Sequence, residues 1–173
     1  KHMLSSAILS TAAARREISR EYIAIASGKT PESGTIDAPI GRVAGSTIER
    51  QIDFENGERA ITHYRRLAYH DGLSLLSLHL ETGRTHQIRA HLSSTGHPII
   101  GDSKYGNPKV NSIFRKKYAL KYQLLHAWKM QFPKREDALA KVSEKELTAP
   151  LPEGFTTIIK GEGLEWEPGI QEG

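Results

Sequence analysis

The chain has 173 residues, a formal net charge of +4, 38% hydrophobic and 25% charged residues, and no cysteine. That length is one ordinary domain or most of one. The absence of cysteine excludes a disulfide framework and thiolate chemistry, and no apolar run approaches the roughly 20 residues that cross a bilayer. The basic excess suits an anionic partner, of which nucleic acid is the commonest, and a cytoplasmic location is expected.

The start, "KHMLSSAILS", has no small-residue cleavage pattern and is not read as a signal peptide. Residues 3–16 read as a helix, with Leu4, Ala7, Ile8 and Thr11 on one face. Ile18 to Ser27 reads as a strand ending at Gly28. "GKTPESGTIDAPIGR" has the glycines and prolines of a loop. "ERAITHYRRLAYHDGLSLLSLHL" reads as a hairpin turning at Asp71-Gly72, with Leu76, Leu78 and Leu80 alternating on a buried face. "RTHQIRAHLSSTG" reads as a helix with a buried stripe of Ile88 and Leu92, and Gly96 lies just past its end. "HPIIGD" is a short buried segment, "VNSIFRKKYALKY" a basic helix, "QLLHAWKMQF" a strand and "ELTAPLPEGF" an extended segment with a proline turn. Residues 161–173, within an acidic, glycine-rich end, are expected to fray. The tally predicts an α+β fold with a mixed, largely antiparallel sheet and flanking helices.

"LETGRTHQIRAHLSSTGHPIIGDSKYG" places three histidines and two arginines among apolar residues. His86 and His91 stand about 140° apart around a helix and so do not share a metal ion from one face. No metal site is expected. Arg89 follows the buried Ile88, and a cation there is rarely unpaired. Spacing leaves two readings open, a structural salt bridge or a clamp on a carboxylate or phosphate. Arg84 and Thr85 are expected to open the same helix, whose N-terminus offers free amides to an anion.

The same stretch closely resembles the third motif of RluA-family pseudouridine synthases. "REYIAI" is similar to that family's tyrosine strand, "AITHYRRL" to the strand entering its hairpin, "LLHAWKMQF" to a later strand and "LTAPLPEGF" to the closing segment. The resemblance covers about Ile18 to Phe155. It implies a pseudouridine synthase fold and an enzyme that isomerises uridine in RNA without a cofactor, after flipping the nucleotide into a pocket. Ribosomal RNA of the large subunit is favoured over transfer RNA as the partner. The family's nucleophilic aspartate lies in an "HRLD"-type motif, which this sequence lacks. Its aspartates are Asp37, Asp53, Asp71, Asp102 and Asp137, none in that context. The chain is therefore expected to be the C-terminal portion of a catalytic domain, inactive alone, with cut sheet edges that favour self-association. A non-catalytic RNA-binding module is the alternative.

By resemblance, Tyr22 is the active-site tyrosine, stacking on the uracil, and Arg89 holds the catalytic aspartate. Without that aspartate, Arg89 is expected to meet water, an anion or another acidic side chain. Leu125 matches a residue packing beneath the base. Arg84, His86 and Gln87 match pocket-wall and scaffold positions. Arg115, Lys116 and Lys117, interleaved with Tyr118 and Tyr122, suit contacts to RNA phosphates and bases.

Overall fold

A computed structural model describes residues 18–134, 136 and 143–166. The helix expected over residues 3–16 lies outside them. β1 (Ser19–Ser27) carries "YIAIA", in which Ile23, Ala24, Ile25 and Ala26 are all buried. A strand apolar on both faces belongs in the middle of a sheet covered on both sides. β1 accordingly pairs with β6 (Leu73–Leu80) on one flank and β7 (Leu125–Gln131) on the other. β2 (Ser33–Asp37), β5 (Ile61–His70) and β8 (Glu146–Thr148) complete a six-stranded sheet in the order β2-β5-β6-β1-β7-β8. Every pairing among these strands is antiparallel. The fold is α+β, as the sequence predicts.

The β5–β6 hairpin turns where expected. Asp71 and Gly72 have φ of 41° and 77°, and two successive positive values match the strand twist. A bulge in the β5–β6 pairing falls between Arg66 and Ala68. The sheet edges are short: five residues of β2 and three of β8. Such brief edges offer little template for pairing with another chain.

The sheet separates two apolar layers. Ile23, Ile25, Leu73 and Leu75 point to one side, where α2 (Pro108–Tyr118) contributes Phe114 and α3 (Glu153–Gly161) contributes Phe155, Ile158 and Ile159. Ala24, Ala26, Leu76 and Leu78 point to the other side, beneath Ile88 and Leu92 of α1 (Gln87–Ser94). A small ribbon of β3 (Ile40–Arg42) and β4 (Arg50–Ile52) lies beside α1, with Ile40 packed against Ala90.

Five expectations need correction. The presumed loop at 28–42 contains β2 and β3. Its glycine is structural: a Cβ on Gly34 would stand 2.6 Å from the Tyr64 hydroxyl oxygen, because Tyr64 of β5 lies across from it. The helix of the RTHQIRAHL stretch starts at Gln87, so Arg84 and Thr85 precede it. His86 caps it in the left-handed region at φ 56°. The basic helix ends at Tyr118, where Ala119 turns left-handed, and leaves Lys121 and Tyr122 outside it. The closing segment is not extended to Phe155, since α3 begins at Glu153. The tail expected to fray from residue 161 is ordered up to residue 166: Leu164 is buried, and Trp166 meets Trp128 edge-on at 5.6 Å. Glycine and acidic composition hid these two apolar anchors. Residues 167–173 lie outside the described residues.

Candidate active site

Arg89 is the centre of the best-built polar cluster. Its Nε donates to Oδ2 of Asp102 at 2.7 Å and its Nη2 to Oδ1 at 2.8 Å. This is the parallel two-bond geometry that a guanidinium fork makes with a carboxylate. Oδ1 of Asp102 also accepts the backbone amides of Lys104 and Tyr105. Burial alone would raise the Asp102 carboxyl, but the Arg89 bond and the two amides outweigh it and hold it below its ordinary value. The Arg89 guanidinium lies 4.9 Å from the centre of the Tyr105 ring. Among the described residues, its Nη1 has no partner.

The turn that carries Asp102 is itself clamped. Gly101 has φ 81°, and a Cβ there would collide with the Tyr122 carbonyl oxygen. The buried Asn111 of α2 accepts from the Gly101 amide at 2.8 Å and donates to the Asp102 carbonyl at 2.8 Å. Just before it, residues 98–100 insert between strand ends: the Ile100 amide bonds Ile25, and the Leu124 amide bonds Ile100. Of the two readings left open for Arg89, the structure shows a salt bridge, to a loop residue of the same motif. A fully buried carboxylate with four hydrogen bonds is no free nucleophile. Asp102 therefore does not replace the aspartate of the missing motif.

A second network fixes α1 to the sheet. Gln87, almost fully buried, donates to the Ile61 carbonyl and to Thr62 Oγ1, and accepts from Thr82 and the Arg84 amide. The buried His91 meets the Ala38 carbonyl through Nε2 at 2.8 Å and Thr62 Oγ1 through Nδ1 at 2.9 Å. A carbonyl only accepts, so Nε2 bears the proton and Nδ1 accepts the Thr62 hydroxyl. Every donor then has an acceptor, and the imidazole is neutral. Burial pushes it below its ordinary value, against the opposing pull of the Ala38 carbonyl. His86 is held down likewise, by burial first and then by the charges of Arg89, Lys104 and Arg50. The Tyr105 hydroxyl accepts the Arg50 amide at 2.8 Å and shares a hydrogen bond with His86 Nδ1 at 3.0 Å. Among the described residues no group of three or more His, Cys, Asp and Glu side chains is disposed to hold a metal ion.

Tyr22 and Leu125 come together. Both are partly buried at the margin of the layer that holds Ile88 and Leu92, along with Leu80, Ile52 and Tyr64. Ala127, directly across from Tyr22 on β7, is small and exposed, so the sheet is open beside the tyrosine ring. The Tyr22 hydroxyl has no partner among the described residues. Arg89 follows Ile88 of this layer, but its fork faces Asp102 and Tyr105. Arg84 lies elsewhere: it forms an ion pair with Glu58, and its Nε bonds the Arg59 carbonyl.

The basic stretch does not join this group. Phe114, Val110 and Tyr118 anchor α2 on the opposite side of the sheet. Arg115 and Lys116 are exposed there. Lys117 pairs with Glu162 at 2.8 Å, which also accepts the Tyr118 hydroxyl at 2.7 Å. Helical spacing showed the charges but not which face of the sheet the helix covers. Asp102, Tyr105 and Asn111 escaped the sequence reading, although Asp102 stands within the same motif as Arg89.

The model of the RNA pseudouridylate synthase family matches residues 2–94. The chain belongs to the RluA-family pseudouridine synthases. It is 37% identical over 165 residues to the RNA pseudouridine synthase YjbO of Bacillus subtilis, covering 94% of this chain and 53% of that protein. It is 37% identical over 147 residues to the ribosomal large subunit pseudouridine synthase D of Nitrosomonas europaea, covering 84% and 41%. The solved structure of human RNA pseudouridylate synthase domain containing 4 is similar with a TM-score of 0.72 at 25% identity, covering 94% of this chain and 69% of the human one. The chain spans about half the length of the curated relatives it matches.

Proposed function

We propose that the whole protein isomerises uridine to pseudouridine in RNA, and that this chain carries the base platform and the arginine of its active site. The bond from N1 to C1′ of the nucleotide breaks, a bond from C5 to C1′ forms, the C5 proton is lost to solvent and N1 takes up a proton in its place. Tyr22 and Leu125 present an aromatic and an apolar surface to a flipped uracil, and open sheet beside Ala127 leaves room for it. Arg89 orients the nucleophilic carboxylate supplied by the HRLD-type motif. No cofactor is required.

The observation that carries this reading is the preset fork of Arg89. Asp102 and Tyr105 fix its position, and Nη1 remains for a second acceptor. A structural ion pair needs only the first carboxylate; a catalytic one needs a free donor held still. Large-subunit ribosomal RNA is the favoured substrate, since relatives such as the one from Nitrosomonas europaea bear that name.

Pseudouridine mapping in cells with and without the full-length gene tests this proposal. Loss of one or a few sites in large-subunit ribosomal RNA is expected. Loss confined to transfer RNA overturns the substrate, and an unchanged map overturns the activity in favour of a binding module. The 173-residue chain alone should release no tritium from RNA labelled at uridine C5, because its sequence lacks the HRLD-type motif and Asp102 is sealed against Arg89.

A further inference from the structure

β1 carries a cation that nothing above employs. Arg20 is partly buried, and its Nε is shut off from solvent with no hydrogen-bond partner among the described residues. Other cations of the described residues are matched: Arg59 with Glu81, Arg84 with Glu58, Arg89 with Asp102, Lys117 with Glu162 and Lys129 with Glu146. Its neighbour Glu21 points to the other side of the sheet and accepts from Ser77 at 2.6 Å. A guanidinium with a shielded N–H and no partner is costly and rare in a folded protein. Where one persists, a ligand that completes it is the physical expectation.

The strand shows where that ligand lies. Alternation along β1 puts Arg20, Tyr22 and Ala24 on one side, and β1 stays in regular register with β6 from Glu21 to Ser27. Opposite Arg20 on β7 stands Met130, an apolar side chain with no charge to offer. Arg20 thus stands beside the Tyr22 platform, about 6.6 Å along the strand. That offset is comparable to one nucleotide step of an extended single strand.

We propose that Arg20 binds a backbone phosphate of the RNA next to the nucleotide stacked on Tyr22. The guanidinium fork matches two phosphate oxygens, and the anion supplies the acceptors that the protein withholds. The inference rests on the reading of Tyr22 as the base platform and adds a residue that holds the strand in register.

The test is the salt dependence of binding to a fluorescein-labelled octauridylate, followed by anisotropy across a potassium chloride series with the 173-residue chain. One phosphate contact on a single strand contributes about 0.7 to the slope of log affinity against log salt. Arg20→Gln should flatten the slope by about that amount. Arg20→Lys should restore the slope while binding more weakly, since it keeps the charge and loses the fork. Arg65→Gln makes the same charge change at an exposed site on the other side of the sheet and should leave the slope alone. If Arg20→Gln does not melt cooperatively, Arg20→Met keeps the apolar stem and carries the same comparison. An unchanged slope in a folded Arg20 variant, or equal flattening by Arg65→Gln, overturns the proposal. In either case weaker binding by Tyr22→Ala leaves the base platform standing. An unaltered chain that does not bind the oligomer overturns both.

Discussion

The two sides of the sheet are held by different forces. Under α2 and α3 the layer is apolar throughout: Phe114, Phe155, Ile158, Ile159 and Leu164 close over Ile23, Ile25, Leu73 and Leu75. Under α1 the apolar contribution is smaller, and an eight-residue helix is pinned by Gln87, His91 and the Arg89–Asp102 pair. Apolar packing is forgiving of direction, whereas hydrogen bonds fix it. The helical side therefore supplies stability, and the α1 side supplies a cation whose fork points one way. The α1 side also leaves its margin at Tyr22, Leu125 and Ala127 uncovered, where the first side is closed.

The largest expected effect is on the closed side. Phe155→Ala removes a nearly buried ring from this layer, and should cost about 3–5 kcal/mol of unfolding free energy in a denaturant melt. The octauridylate affinity of the molecules that remain folded should not change. A parallel loss of affinity would show that the two sides are not separate in function.

Next is Arg89 in the full-length protein. Arg89→Lys keeps the charge but cannot make both bonds to Asp102 while presenting a donor to a second carboxylate. The single-turnover rate should fall about 30- to 1000-fold, equivalent to about 2–4 kcal/mol in the transition state. Stability should fall less, since the ammonium still offsets the buried Asp102. Normal turnover with a large loss of stability would make the Arg89–Asp102 pair purely structural and erase the contrast between the two sides.

Much of this division can be read from the residues, and the unread part has physical reasons. The central strands were legible because "YIAIA" is an unbroken apolar run and Leu76, Leu78 and Leu80 alternate on one face, and the hairpin because Asp71-Gly72 supplies two positive φ angles. β2, β3 and β4 were not, since strands of three to five residues between Gly and Pro have no periodicity of their own. Their order comes from partners distant in sequence, as when Tyr64 covers Gly34. α3 was hidden because its first turn, Glu153-Gly154, continues a proline turn. At the site, a resemblance singled out Tyr22, Leu125 and Arg89, and the structure gathers Tyr22 and Leu125 on one layer. It could not reveal that Asp102 already engages Arg89, nor that Arg115 and Lys116 ride on the far side, because periodicity records a helix face and not the sheet face it meets.

A pH series distinguishes the two sides more gently. His91 is neutral in the fold and held below the ordinary imidazole value by burial. Above about pH 6.5, the ordinary value, folded and unfolded chains bind the same number of protons at this residue. As pH falls below that, the unfolded chain takes up a proton that the fold refuses, so stability declines until the folded value is reached. His86, shifted in the same direction, adds to the slope. The buried His91 contributes at most about 1.4 kcal/mol per pH unit, and the more exposed His86 less. Chemical denaturation from pH 7.5 to 5.5 should show the loss, and His91→Gln should shallow it. A flat profile in the unaltered chain would mean that the α1 network tolerates a charge at His91 and does not depend on the neutral tautomer.

The smallest effect concerns the basic helix on the closed side. Lys116 is exposed and has no partner among the described residues, whereas Lys117 is engaged by Glu162. If RNA reaches around to α2, Lys116→Ala removes a free contact and should flatten the salt dependence of octauridylate binding by about 0.7. Lys117→Ala should flatten it less, because binding through Lys117 must first displace a carboxylate. Neither change should disturb the melt, since exposed substitutions away from packing stay within about 0.5 kcal/mol. If neither variant alters the slope, α2 is a solvated helix that only covers the sheet, and RNA contact is confined to the side of Arg20, Tyr22 and Arg89. If Lys116→Ala flattens the slope as much as Arg20→Gln, the strand wraps the edge of the sheet, and the closed side contributes to binding as well as to stability.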